Sequence, residues 1–145
     1  MTMEGFHSTF FSFGNSGNVA ADWEHHFTSY DPRSWDEEGD GVLQFFESPH
    51  RYSLTVVHNA KFGFLLNYSV RNLDEKSTPE SAYSIGKKSQ LANFKEVVEG
   101  SFYPTGCFVT PSTAWKAVED FLANPTKRSS RIDWIDESIL SWPEM

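Results

Sequence analysis

The chain has 145 residues, with 12 Lys and Arg against 20 Asp and Glu for a net charge of -8, and a single cysteine. That length fits one domain able to bury about two-thirds of its unfolded surface, and leaves two domains cramped. The lone Cys107 excludes an intramolecular disulfide and a cysteine-built zinc cluster.

The opening "MTMEGFHSTFFSF" lacks the basic start and long apolar run of a signal peptide, and no stretch approaches the ~18 apolar residues of a membrane span. A cytoplasmic protein in a reducing compartment is the expectation. Within the first quarter, "FHSTFFSF" reads as a strand and "GNSGN" as a turn. "VAADWEHHFTSY" reads as a short helix with Val19, Trp23, His26, Phe27 and Tyr30 on one stripe. Residues 31–41 read as a polar loop. Residues 1–40 carry Arg33 against Glu4, Asp22, Glu24, Asp31, Asp36, Glu37, Glu38 and Asp40, a net -7, which leaves -1 for the rest. Such a field repels nucleic-acid phosphates and attracts basic proteins, although an ordinary acidic surface would read the same way.

Three β-rich runs follow: "GVLQFFES", "YSLTVVHN" and "KFGFLLNYSV", joined by "SPHR" and "HNAK" as short turns. They predict consecutive antiparallel strands. In the third, Phe62, Phe64, Leu66, Tyr68 and Val70 alternate with other residues, giving one strongly apolar face. "RNLDEKSTPES" is a polar loop, "AYSIG" a fourth strand, "LANFKEVVEG" a helical or loop segment, and "GCFVT" a fifth strand.

"TPSTAWKAVEDFLANP" then writes its own helix ends, with Thr110 as N-cap, Pro111 as first helical residue, and Asn124 with Pro125 as the stop. Over residues 111–123, Ala114, Ala117, Val118, Phe121 and Leu122 share one face with Trp115 on its flank, and Lys116, Glu119, Asp120 and Ala123 point outward. Burying Val118, Phe121 and Leu122 contributes about 1.5–3 kcal/mol each, as expected of a helix laid on the sheet. The fold class predicted is α+β: one domain, a largely antiparallel sheet of about five strands and a late amphipathic helix on one face.

The chemistry-bearing residues are sparse. Asp22, His25 and His26 offer a carboxylate and imidazoles on one short helix, but zinc takes three or four protein ligands and His7, His50 and His58 stand at no ligand spacing. Cys107 sits in an apolar run as a small buried hydrophobe. The carboxylates of "WDEEGDG" lack apolar surroundings that would raise a pKa for acid–base work. No phosphate-loop motif is present. Lys127, Arg128 and Arg131 sit near the helix C-terminus, where they complement its dipole or meet a partner. Neither a cofactor, a metal nor an enzymatic activity is expected.

The succession "GVLQFFES", "YSLTVVHNAKFGFLLNYSV", "AYSIGKK", "GCFVTPSTAWKAVEDFLANP" and "RIDW" resembles the first immunity-protein family of bacterial polymorphic toxin systems, in particular the immunity proteins that accompany deaminase toxins. The resemblance covers about residues 41–135; residues 1–40 fall outside it. It implies a non-enzymatic protein that binds a cognate toxin domain as a monomer in a 1:1 complex, with no nucleic acid or membrane as partner. A nuclease toxin fits the same reading. The rivals are a small metal-assisted hydrolase using Asp22, His25 and His26, and an adaptor for a partner other than a toxin. Because toxins acting on nucleic acid need basic clefts, the expected toxin-binding residues are the acidic run Asp36, Glu37, Glu38 and Asp40 with Trp35 as aromatic anchor. Asp74 and Glu75 in the loop after the third strand are a second acidic candidate.

Overall fold

The computed structural model describes residues 5–8, 24, 26–33, 35, 41–75, 79–98 and 101–140. The strands are β1 (Gly5–Ser8), β2 (Gly41–Glu47), β3 (His50–Asn59), β4 (Gly63–Asn72), β5 (Glu80–Ser84), β6 (Phe94–Val98), β7 (Ser101–Pro104), β8 (Phe108–Val109) and β9 (Trp134–Asp136). The long helix α1 spans Pro111–Ala123. The fold is α+β, with a seven-stranded sheet ordered β1-β2-β3-β4-β5-β9, β8 also pairing with β4, and β6-β7 forming a separate hairpin. Every pairing in the main sheet is antiparallel.

The three central runs fold as read, because short turns between β-branched and aromatic segments leave only a meander. β3 and β4 pair along their whole length, from His50 opposite Asn72 to Asn59 opposite Gly63. On one face Leu43, Leu54, Val56, Phe64, Leu66 and Tyr68 form the main core. Helix α1 packs there through Ala114, Trp115, Ala117, Val118 and Phe121. Trp115 is buried, not flanking, and Leu122 is partly buried. The Thr110 hydroxyl accepts from the Thr113 amide, capping the helix where the sequence places the cap. Phe62 does not join this face. It lies in the β3–β4 turn and packs on the opposite side against Phe108 at 5.6 Å, within a second cluster of Val57, Leu65, Cys107, Phe108 and Leu140.

Several expectations need correction. The segment "LANFKEVVEG" supplies strand β6, held by antiparallel pairing with β7, so it is neither helix nor loop. "GCFVT" opens in a 3₁₀ turn, Thr105–Cys107, before a strand of only two residues. "RIDW" runs into β9, the edge strand beyond β5. Of residues 31–41, expected as loop, positions 32, 33 and 35 are helical.

The Ser-Ile-Gly at the end of β5 stands where the edge of β4 changes partner. β5 pairs with residues 67–70 of β4, and β8 pairs with Phe64 and Leu65. Between them the fully buried Ser84 hydroxyl accepts from the Leu66 amide at 3.0 Å and donates to the Cys107 carbonyl at 2.6 Å. The Ile85 amide donates to Asp133, and the Gly86 amide to Gly106. A Cβ on Gly86 would stand 1.9 Å from the Phe108 carbonyl oxygen, so only glycine fits.

After α1 the chain is pinned back onto it. The Tyr68 hydroxyl donates to the Pro125 carbonyl, and Trp134 Nε1 donates to Ser129. Arg131 donates to both oxygens of Asp120, at 2.7 and 3.0 Å, and to Glu119 at 2.7 Å. The arginine therefore pairs with helix carboxylates, more specific than a complement to the helix dipole.

Two outcomes follow from this framework. Ser84→Ala should cost about 2–4 kcal/mol in denaturant unfolding, because it strands a buried amide and a buried carbonyl; a change within error would remove the bridging role. At Asp120, partial burial raises the carboxyl pKa, but hydrogen bonds from Arg131 and Ser129 and the arginine's charge outweigh it and hold the pKa below the usual 3.8. Its stabilisation is therefore complete above that value and is lost as pH falls through it towards the folded pKa. The stability difference between the parent and Asp120→Asn should hold above about pH 4, shrink as pH falls below it, and vanish only below the folded pKa.

Candidate protein-binding edge

Trp35 is 1% exposed and belongs to the main core, which overturns its expected role as a surface anchor. Its ring meets Phe64 at 4.8 Å and Phe27 at 5.2 Å, and its Nε1 donates to the His26 carbonyl at 3.0 Å. The physical reason is the aromatic stripe that Trp35, Phe27 and Tyr30 build in space around Phe64, at that end of the sheet. Burial of that stripe outweighs the pull of neighbouring charges into solvent. Asp36, Glu37, Glu38 and Asp40 lie outside the described residues, as do Asp22 and His25. Among the described residues no group of three His, Cys, Asp or Glu side chains is placed to hold a metal. His58 is buried, and its Nε2 shares a 2.5 Å hydrogen bond with the Tyr30 hydroxyl, so it packs in the fold. Burial pushes the Cys107 thiol up to about 12, which keeps it protonated.

Asp74 and Glu75 are exposed in the β4–β5 loop. Asn72 shapes that loop: its side-chain oxygen accepts from the Asp74 amide at 2.9 Å and its carbonyl from the Glu75 amide at 3.3 Å. The Leu73 amide donates to Pro49, fastening the loop to the β2–β3 turn. Leu73 itself is 51% exposed, an apolar side chain standing beside two carboxylates. The acidic run of the first quarter leads instead into Gly41, which is paired with Val56 at the other end of β2. The sheet thus separates that junction from the Asp74–Glu75 loop.

Where β5 begins there is a groove of about 660 Å³ lined by Pro79, Glu80, Ser81, Tyr83, Asp136, Glu137, Ser138 and Leu140. Pairing builds it. Asp136 stands opposite Ala82, so the 3₁₀ turn Glu137–Ile139 continues alongside the start of β5, where Glu80 follows the loop. The Tyr83 hydroxyl donates to Glu137 at 3.2 Å. Burial first, and then the charge of Glu137, hold that phenol above its ordinary range, so it stays a donor. Leu140 turns inward to the second cluster, leaving Ile139 outside at 65% exposure. One edge therefore gathers exposed carboxylates from Asp74, Glu75, Glu80, Asp136 and Glu137 with two exposed aliphatic side chains.

Glu80, Asp136, Glu137, Leu73 and Ile139 were not among the residues the sequence singled out. The only signal for the distant pair, Asp136 and Glu137, is the "RIDW" return, whose pairing with β5 is visible only in three dimensions. Chemically the edge offers negative charge, a tyrosine donor and apolar contact, a composition that suits a basic protein surface. Compared with protein-family models, with curated proteins and with solved structures, the chain matches none.

Trp35→Ala should lower unfolding stability by about 3–5 kcal/mol, as expected for emptying a core site; an unchanged melting curve would return Trp35 to the surface.

Proposed function

We propose that this chain is an immunity-type protein that binds a cognate toxin domain, a nucleic-acid deaminase by the family resemblance, and covers its basic cleft. The observation that carries the reading is the β5–β9 edge, where Glu80, Asp136 and Glu137 line one groove. A surface that must displace a phosphate backbone needs dispersed negative charge to steer encounter and apolar contact to hold it. Glu80, Asp136 and Glu137 supply the first in the groove and Asp74 and Glu75 in the loop before β5; Leu73 and Ile139 supply the second. The run Asp36, Glu37, Glu38 and Asp40 adds charge of the same sign to long-range attraction. On this reading the protein is non-catalytic, acts in the cytoplasm where the toxin would meet nucleic acid, and binds one toxin per monomer.

Co-expression with the toxin encoded beside it tests the function. Cells carrying both should survive, and equal killing with and without this chain would refute the proposal. For the surface, neutralising Asp74, Glu75, Glu80, Asp136 and Glu137 together to Asn or Gln should slow association about tenfold or more at low salt and flatten its salt dependence. Leu73→Ala with Ile139→Ala should act mainly on dissociation. Unchanged rates in both variants would move the contact away from this edge.

A further inference from the structure

On the face of the sheet opposite α1, Arg51 of β3 stands directly across from Arg71 of β4. Cross-strand partners on one face have their Cβ atoms about 4.5–5.5 Å apart, and like charges directly opposite are destabilising, a cost that an anion between them would relieve. Neither arginine has a hydrogen-bond or ion-pair partner among the described residues, in contrast to Arg131 with its two carboxylates. The Nε of Arg51 is moreover buried with no acceptor. A buried charged donor without an acceptor is rare in folded proteins, and an ion is one of the ordinary explanations. The next row of the same face is Gln44, Ser53, Ser69 and Ser81, whose amide and hydroxyl groups are donors, with Asn67 bonded to the Ser81 hydroxyl at 2.8 Å. Phe46 completes the arginine row.

We infer that Arg51 and Arg71 form a binding site for a tetrahedral oxyanion of the phosphate class, with the serine row as secondary donors. A dianion matches two opposed cations, and the planar guanidinium fork grips phosphate oxygens two at a time. General electrostatic attraction does not account for such binding, because the chain carries a net charge of -8. The inference is independent of the toxin reading, since it rests on Arg51, Arg71 and a small ion; of its residues only Ser81 also lines the acidic groove.

The test is titration of the intact chain with sodium phosphate at constant ionic strength maintained with sodium chloride, following the arginine Nε–H signals by NMR. Two Nε–H signals should shift saturably, and Arg71→Gln, an exposed substitution, should weaken the response by about tenfold or more, with Arg71→Lys restoring it only in part. Arg51→Gln serves as the second variant, checked for folding by the same spectrum. A shift that never saturates, or one that saturates equally in Arg71→Gln, overturns the site. Phenyl phosphate run in parallel separates the sources: tighter binding than inorganic phosphate identifies a phosphate ester as the natural ligand, and weaker or equal binding identifies the free ion.

Discussion

The arrangement depends on one hydroxyl group. β4 is bordered along one side by β3 alone but along the other by β5 for part of its length and β8 for the rest. Where one partner leaves and the next arrives, an amide and a carbonyl would be stranded in the core, and Ser84 satisfies both. The change of partner lets the chain leave the sheet after β5, build the 88–104 excursion, and return as β8 in line with the start of α1. Without it the helix would not begin over Phe64, and its inward face would not meet Leu66 and Tyr68. Gly86 serves the same junction by letting two backbones approach more closely than any side chain allows.

That junction also decides what becomes surface. Because β8 takes the Phe64 end of β4, β5 is free at the other end to pair outward with β9, and β9 carries Asp136 and Glu137 to the flank of Glu80. The acidic edge is thus a product of topology, assembled from segments that meet only when the sheet closes. Charge on the molecule is sorted accordingly: carboxylates collect where β5 meets β9, while Arg51 and Arg71 face each other on the interior strands. Arg131 is neutralised against α1 and contributes little net field.

Much of this fold is legible in the amino acids because its strongest signals are local. Thr110 with Pro111 and Asn124 with Pro125 fix both ends of α1, and the apolar alternation of β4 marks the face it covers. Legibility fails where a distant surface decides. Trp35 reads as exposed because Asp36, Glu37 and Glu38 follow it in the chain, yet its neighbours in space are Phe27 and Phe64. The segment 91–100 reads as weakly helical because its strand character depends on pairing with β7, whose own run is too short to announce itself. The candidate edge was half legible: Asp74 and Glu75 stand out as charges in a loop, whereas Glu80 and Glu137 are ordinary acids until β5 and β9 lie side by side.

The brevity of β9 bears on how tightly the edge can grip. Three register positions join it to β5, and among the described residues nothing pairs with its outer side. The wall of the groove is therefore among the cheapest parts of the sheet to detach, and it samples opened forms more often than the strands inside it. A partner seated there would have to still that motion, so part of its gross binding energy is spent on ordering the wall. Substitutions that stiffen β9 from behind, at positions no partner touches, would then raise affinity without adding a single contact.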